Sequence, residues 1–249
     1  MFAAVMDSSK TWKQIVDAVA TLLTEANLTI SPQGITLVQR DSTRAAMIDL
    51  SLPRSVFQQY DCDDTYQICI GVDELARVTK RIAVDDRIEL RLNEALMRLQ
   101  IRMIGETVRT FRIRLLTPST EPEDPINESF AVRAEMAADL FKRVVRDVGV
   151  VSDHVLMSAT SGGLSFSGSG DIGEAEIELT PGEESLLYSL SGGAATSMYA
   201  LSYLSEIAKA IGGDELVLQM TGDRPAMFEF PIAESGRIKF LVAPRIQRR

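Results

Sequence analysis

Basic residues on four helical segments are the first feature of this chain that could do chemistry. In each segment apolar residues recur every three or four positions, so the lysines and arginines fall on the opposite, polar face. Cations arranged this way contact phosphates without reading bases, which gives salt-sensitive binding to nucleic acid of any sequence. A solvated charged face would explain any one helix, but its repetition favours the phosphate role. The cations are Lys10, Lys13, Arg77, Lys80, Arg81, Lys142, Arg143, Arg146 and Lys209.

Two strand-like segments carry opposite charges, each on one face. Arg112 and Arg114 alternate with apolar residues over 108–116, and the glutamates of 174–179 alternate in the same way. A strand at the edge of a sheet offers unpaired backbone groups to another chain. Two edges of opposite charge predict head-to-tail association, which closes into a ring when the rotation between subunits permits. The alternative is that both are interior strands with solvated charges.

The segments that look like catalytic or cofactor motifs lack the context that those motifs need. Residues 168–173 match the GxGxxG spacing, but the following segment alternates like a strand instead of beginning a helix. His154 is the single histidine, and no nucleophile-elbow sequence accompanies it. Cys62 and Cys69 have neither CxxC nor zinc-ligand spacing, so we expect reduced thiols. We therefore predict no catalytic residues, no metal and no cofactor.

The charged residues lie on elements that occur twice in the chain. Equivalent segments are about 128 residues apart, as from Asp73 to Leu201. A repeat of that length indicates two similar domains, since the units of solenoids are only about 20–50 residues long. Helices are predicted at 10–23, 73–82, 134–148 and 199–211. Strands are predicted at 28–30, 35–40, 45–50, 87–92, 98–103, 108–116, 155–159, 163–167, 174–179, 215–221, 226–232 and 237–242.

A segment rich in proline and acidic residues forms the natural boundary between the halves. Residues 117–129 contain three prolines and four acidic residues, a composition typical of an extended linker. We predict an N-terminal domain at 1–117, a connecting linker at 118–129 and a C-terminal domain at 130–249. The predicted fold class is α+β, with two similar domains that each place two helices on an antiparallel sheet.

Composition is that of an ordinary globular protein, with 45% hydrophobic and 24% charged residues. No segment approaches the roughly 20 apolar residues of a membrane span, and the N-terminus lacks the pattern of a signal peptide. We expect a cytoplasmic protein that has no membrane partner. The net charge of −9 would by itself argue against binding to nucleic acid, but it does not exclude one basic face.

Six segments carry a resemblance to a known family, namely 34–44, 48–53, 110–113, 151–154, 202–206 and 236–245. The most specific is the C-terminal run Leu241-Val-Ala-Pro-Arg245. In these segments the chain resembles archaeal proliferating cell nuclear antigen, of the DNA polymerase sliding clamp family, and the match is collinear over essentially all 249 residues. The resemblance implies the DNA clamp fold, assembled as a toroidal trimer with its helices around duplex DNA and its sheets outside.

The resemblance also implies roles for particular residues. The basic helical faces would line the central hole and face the DNA. The subunit interface would comprise Thr110, Arg112, Arg114, Glu174, Glu176 and Glu178. A groove for partner peptides maps onto Arg40, Arg44, Ala45, Met47, Pro125, Ile126, Pro225, Leu241, Ala243 and Pro244. Two features depart from the family pattern, because Arg40 replaces a usually apolar residue and the chain ends Gln247-Arg-Arg249 where many relatives end in acids.

The implied function is that of a DNA sliding clamp, a processivity factor without catalytic activity. It would encircle double-stranded DNA at the nucleoid and tether DNA polymerase, clamp loader, flap endonuclease and DNA ligase through short peptide motifs. One alternative is a specialised subunit of a heterotrimeric clamp, in which the neighbours are paralogous subunits. Another is an enzyme with a duplicated α+β fold, against which the lack of a catalytic constellation argues.

Overall fold

The computed structural model describes residues 1–118, 123–182 and 185–245. The chain divides into two compact units. The first unit comprises Met1–Pro125 and Pro231–Ile238, and the second comprises Ile126–Phe230 and the residues from Lys239 onward. The predicted linker at 118–129 includes four residues outside the described ranges, so the domain boundaries remain a prediction.

The first unit contains two α-helices and antiparallel strands in two sheets. One sheet has the strand order β5-β1-β7-β8-β9, and the strands of the other follow the order β4-β3-β2-β6. The elements are β1 (Phe2–Met6), α1 (Ser9–Ala20), β2 (Glu25–Ser31), β3 (Gly34–Arg40), β4 (Ala46–Pro53), a 3-10 turn (Arg54–Val56), β5 (Gln59–Cys62), β6 (Tyr66–Gly71), α2 (Val72–Thr79), β7 (Arg87–Asn93), β8 (Arg98–Ile104) and β9 (Val108–Arg114).

The second unit repeats this topology. Its strand orders, β14-β10-β16-β17-β18 and β13-β12-β11-β15, are those of the first unit with nine added to each strand number. The predicted duplication therefore extends to the order of every strand. The elements are β10 (Val132–Ala137), α3 (Ala138–Val148), β11 (His154–Thr160), β12 (Gly163–Gly170), β13 (Gly173–Leu179), β14 (Leu187–Gly192), β15 (Ala195–Ala200), α4 (Leu201–Ala210), β16 (Glu215–Met220), β17 (Ala226–Ile232) and β18 (Gly236–Val242).

Helix α1 forms because its start is capped and one face is apolar. The Ser8 hydroxyl accepts a hydrogen bond of 3.1 Å from the backbone N–H of Thr11, which satisfies a free donor of the first turn. Trp12 and Val16 are buried on the inner face, and the Trp12 indole N–H donates to the hydroxyl of Thr79 on α2 at 3.0 Å. This buried bond fixes the two helices against each other and leaves their polar faces outward.

Both helices of the second unit begin later than predicted. The segment from Ala134 was assigned to a helix that starts at 134, but Val132–Ala137 is a strand paired with β16. Alternation of buried and exposed side chains in this segment satisfies the sheet, so the helix begins at Ala138. The core face of α3 consequently includes Phe141 and Val145, and the predicted core residue Leu140 is only half-buried.

Tyr199 was likewise predicted as the start of the last helix but lies in strand β15, and α4 begins at Leu201. The Tyr199 ring is fully buried, and its hydroxyl donates to the carbonyl oxygen of Arg224 at 2.8 Å. Burial raises the pKa of this hydroxyl to about 12. The aromatic residue thus anchors the end of a core strand rather than a helical turn.

The strands missed by sequence reasoning are β1, β5, β6, β10, β14 and β15. Several directly precede a helix, so their short alternating patterns merge with the helical periodicity that follows. In the part of the chain that the structure describes, no helix is long and apolar enough to cross a membrane. Nor do these residues include three or more metal-ligating side chains grouped so that they could hold an ion.

Candidate nucleic-acid and assembly site

The cations of the first unit lie on the outer faces of α1 and α2. Lys10, Lys80 and Arg81 are exposed, and Lys13 is partly exposed. Arg77 is also exposed, but it forms an ion pair of 3.1 Å with Glu74 one turn earlier. Within the described residues, the side chains of the other four cations make no hydrogen bond or ion pair, so they are available to an external anion.

Two of these cations lie just beyond the helix in which they were predicted. Helix α2 ends at Thr79, and Lys80 and Arg81 form the turn that follows it. The backbone N–H groups of both residues donate to carbonyls of the last helical turn, at 3.0 Å each. Cations at this end of a helix are favoured by its dipole. Their exposure is therefore a property of the helix C-terminus and not of a longer helical face.

The cations of the second unit are held more tightly. Lys142 approaches Asp139 at 3.4 Å, and Lys209 forms an ion pair of 2.6 Å with Glu206. Arg146 donates from Nε to the carbonyl oxygen of Lys142 at 3.1 Å, which leaves its terminal nitrogens unused. The second unit therefore neutralises part of its own basic surface.

A cleft of about 970 Å³ opens between α3, α4 and the strand β14. Lys142, Arg143, Arg146 and Lys209 all line it, so the structure brings the four predicted cations of this unit together. Leu186 and Tyr188 also line the cleft, and Tyr188 is 48% exposed. Sequence reasoning missed Tyr188 because β14 was not predicted; the alternation around it was the available signal.

The two oppositely charged strands are both at the end of a sheet. Strand β9 has β8 as its neighbour in the first unit, and β13 has β12 as its neighbour in the second. Their outward side chains are exposed, and those that carry a charge have no hydrogen-bond or ion-pair partner anywhere in the described ranges. These outward residues are Thr110, Arg112 and Arg114 on β9, and Glu174, Glu176 and Glu178 on β13.

Strand β9 is fixed to the end of α2 by a buried ion pair that the sequence did not reveal. Asp86 is 1% exposed and forms an ion pair with Arg109 on β9. Asp86 also accepts a hydrogen bond of 2.6 Å from the backbone N–H of Ala83, and Arg109 donates to the carbonyl oxygen of Arg81 at 2.6 Å. The edge strand and the basic helix end therefore form one rigid assembly.

Phe111 projects from the inner face of the same edge strand and is only half-buried. It lines a cavity of about 480 Å³ together with Arg77, Val78, Lys80 and Arg81. On β13 the inner-face residues Ala175 and Ile177 are also half-buried. Each edge strand therefore presents an incompletely covered apolar face beside its charged one.

The residues predicted to form the peptide groove differ in accessibility. Arg40 and Arg44 are exposed, Ala45 is partly exposed, and Met47 is only 6% exposed. Arg44 adopts a positive φ of 62°. The loop around it is held by Asp41, whose carboxylate accepts a hydrogen bond of 2.9 Å from the N–H of Ala46.

Arg40 has a specific partner in the same unit. Its Nε donates to the carboxylate of Glu123 at 2.7 Å, and both side chains are partly exposed. The basic residue at this position thus binds an acidic residue of the predicted linker segment, which keeps its charge away from the neighbouring apolar surface.

The remaining groove residues are Pro125 in the first unit and Ile126, Pro225, Leu241, Ala243 and Pro244 in the second. Pro125 is exposed and the others are partly exposed. Arg245 follows this run; its N–H donates to the carbonyl oxygen of Met198 at 2.7 Å, and its guanidinium contacts Nδ1 of His154 at 3.1 Å. The C-terminal Gln247-Arg-Arg249 lies outside the described residues.

The glycine-rich segment is a turn between strands, as predicted. Gly168 and Gly170 belong to β12, and Gly173 begins β13. Since a strand and not a helix follows, no helix N-terminus is present to receive a phosphate. His154 lies beside Asp153 and Arg245, without a nucleophilic side chain among its recorded contacts.

Comparison with known proteins supports the same reading over the whole chain. Residues 1–110 match the family model for the proliferating cell nuclear antigen, N-terminal domain, and residues 126–245 match the model for its C-terminal domain. A protein of Thermococcus sibiricus named DNA polymerase sliding clamp is 33% identical over 247 residues, with 99% of each chain covered. The sliding clamp of Cenarchaeum symbiosum is 32% identical, with 98% of each chain covered.

The fold agrees with a solved structure. The crystal structure of the proliferating cell nuclear antigen from Thermococcus kodakaraensis superposes with a TM-score of 0.92 and 24% sequence identity, covering 98% of this chain and 100% of that one. The predicted α+β clamp fold and the predicted family are therefore confirmed. The repeated topology, the full-length relatives and the matching fold together show that this chain belongs to the DNA polymerase sliding clamp, or proliferating cell nuclear antigen, family.

Proposed function

We propose that this protein is a DNA sliding clamp that encircles duplex DNA and tethers the replicative polymerase. The observation that carries the proposal is the full-length similarity to proteins named DNA polymerase sliding clamp. The family consists of processivity factors and not of enzymes, which agrees with the prediction that the chain has no catalytic site. The working location would be the cytoplasm, at the nucleoid.

The charge distribution suits retention on DNA by enclosure. The chain carries a net charge of −9, yet the helices present Lys80, Arg81 and Arg143 without intramolecular partners within the described ranges. An acidic exterior repels DNA, and a few cations on the inner face contact phosphates weakly and without sequence preference. Weak contacts of this kind permit sliding, since a ring is held by topology and not by affinity.

A ring requires two complementary surfaces on each subunit. Strand β9 offers a basic edge and β13 an acidic one, both at the ends of their sheets. Pairing of unlike edges is a heterologous contact, which generates closed rings when the rotation between subunits is a simple fraction of a turn. We propose three subunits, the number that the family resemblance implies, in which each β9 meets the β13 of the next subunit.

Replication and repair partners would dock short peptides at the groove near the predicted linker. Partners of this kind would be the polymerase, the clamp loader, a flap endonuclease and a DNA ligase. Leu241, Ala243 and Pro244 supply partly exposed apolar surface, and the Arg40–Glu123 ion pair adds a polar border. A shallow apolar groove with a polar rim suits one aliphatic or aromatic anchor residue of a peptide.

Topological retention tests the proposed function directly. The protein is loaded with a clamp loader onto nicked circular DNA, and protein and DNA are then separated from free protein by gel filtration in high salt. A clamp remains with the circle and is lost when one restriction cut linearises the DNA. Equal retention on circular and linear DNA, or none on either, would contradict the proposal.

The assembly state separates the main proposal from the alternative of a heterotrimer. The native mass of the purified chain should correspond to three copies at micromolar concentration. A monomer that trimerises only with a paralogous chain would support a specialised subunit, and the retention experiment would then succeed only with the mixed ring.

A further inference from the structure

We propose that the ring is built from copies of this chain alone, with β9 and β13 paired antiparallel in one register. That register places Thr110, Arg112 and Arg114 of one copy opposite Glu178, Glu176 and Glu174 of the next. It leaves Glu178 without a cation at every interface. The inference rests on the proposed function and specifies its assembly contact.

Charge selects the partner, because one chain carries both halves of a complementary pair. Arg112 and Arg114 are exposed on β9, and the three glutamates are exposed on β13. In the described residues none of these five side chains has an intramolecular partner. Unlike charges opposite each other across two strands are favourable, and like charges are unfavourable. A second copy of the same chain therefore fits each edge, whereas two β9 edges or two β13 edges repel.

The direction of pairing follows from the sheets that the edges extend. Strand β9 is antiparallel to β8, and β13 is antiparallel to β12. All the ladders within each unit for which the register is given above are antiparallel as well. Antiparallel pairing is the more stable arrangement per residue and tolerates one solvated face.

The register follows from overlap and charge together. Opposite residues in an antiparallel pair have a constant sum of their numbers, and 110 + 178, 112 + 176 and 114 + 174 all give 288. In this register residues 109–114 lie opposite 174–179, so six residues of each strand are paired. A sum of 290 shortens the overlap to four residues, since only 111–114 then face 176–179. A sum of 286 leaves Arg112 alone opposite a glutamate and moves Arg114 opposite Ile172.

The same register also covers the apolar faces. It places Phe111 opposite Ile177 and Ile113 opposite Ala175, since both pairs again sum to 288. Phe111 and Ile177 are each half-buried in the single chain, and Phe111 borders the cavity beside α2. Cross-strand pairing of an aromatic with a β-branched residue is favourable. The chosen register thus matches charge on one face and apolar contact on the other.

Disulfide trapping tests the register. In a Cys62→Ser background, Thr110→Cys with Glu178→Cys should cross-link neighbouring subunits under mild oxidation, because opposite Cβ atoms lie about 4.5–5.5 Å apart. Thr110→Cys with Glu174→Cys is the matched control. It should remain uncross-linked, because its two positions would be four residues out of register. Products are read as dimer and trimer bands on a non-reducing denaturing gel.

Two outcomes would overturn the register without touching the proposed function. One is a native trimer in which the control pair cross-links and the test pair does not. The other is a native trimer in which neither pair cross-links. Loss of the trimer in the unmodified chain is a different result, since it would remove homotypic assembly itself.

A gain of charge at the unmatched position provides a second test. Thr110→Arg supplies a cation for Glu178, and we expect the subunit dissociation constant to fall by up to about fivefold at low salt. Thr110→Gln, which adds length without charge, is the control. The gain should disappear in Thr110→Arg with Glu178→Gln, which a general effect of arginine on solubility would not predict. A gain of the same size for Thr110→Gln, or one that persists without Glu178, would contradict the pairing.

Discussion

The two units share one topology but use their equivalent positions differently. Asp86 is buried in the first unit and forms an ion pair with Arg109, whereas Asp214, which lies 128 residues later, is exposed. Tyr60 is 7% exposed and donates to the carbonyl oxygen of Ser31, whereas Tyr188, also 128 residues later, is 48% exposed beside the basic cleft. Duplication thus preserved the strand order while the charged and aromatic residues took different roles.

The edges show the same divergence most clearly. The end strand β9 of the first unit is basic, and the end strand β13 of the second is acidic. If both halves had kept the same edge charge, subunits could not pair head to tail without repulsion. The comparison teaches that a duplicated fold acquires directionality when its two copies differ in charge at their open edges.

Reversal of charge on the basic edge should have the largest effect. In the variant that combines Arg112→Glu with Arg114→Glu, glutamates would face the glutamates of β13, and like charges at an interface cost several kcal/mol. We expect the native mass to fall from three chains to one. Arg91→Glu is the control, because Arg91 is exposed on β7 of the same sheet but away from its end. A persistent trimer would refute the role of the edge.

The buried ion pair should account for the next largest difference between the units. Asp86→Ala leaves the Ala83 N–H and the Arg109 guanidinium without their acceptor, and we expect a loss of about 2–3 kcal/mol in the free energy of unfolding. Asp214→Ala, at the exposed equivalent position, should change it by less than about 0.5 kcal/mol. Denaturant unfolding of both variants measures the contrast, and equal losses would argue against the proposed brace.

The free and the paired cations should contribute unequally to DNA binding. Removal of Lys80 and Arg81 in the first unit should weaken salt-sensitive binding to duplex DNA about tenfold or more and lower the magnitude of the salt slope by at least about 1. Removal of Lys142 and Lys209, which are already paired with acids, should have a smaller effect. Titration of labelled duplex at several salt concentrations gives both slopes. A larger loss in the second variant would reverse the comparison.

The smallest expected effect is a pH dependence in the second unit. Arg133 and Ser189 stabilise the ionised carboxylate of Glu135 and hold its pKa below the usual value. A depressed pKa in the folded state stabilises above the unfolded-state pKa of about 4.3, and this contribution disappears as pH falls through the folded value. Glu135→Gln should therefore be slightly less stable than the parent at pH 6 and equally stable near pH 3. A difference that persists at pH 3 would argue against this ion pair as its source.

Sequence patterns located helices wherever a long amphipathic repeat stood alone, as in α1, whose cap and apolar face were both legible. They failed at the strand–helix junctions before α3 and α4. There a short alternating strand runs directly into a helix, and both periods place residues such as Met136 in the core. Strand β14 was missed for a different reason, since it leaves Leu186 and Tyr188 partly exposed.

The sequence by itself determined the duplication, the α+β class, the charges of the two edge strands and the family, because these depend on periodicity and on residue identity along the chain. Only the tertiary structure decided which strands end their sheets, which cations are already paired, and that Asp86 binds Arg109. Those properties depend on which segments meet in space, and contacts between residues distant in sequence leave no periodic signal.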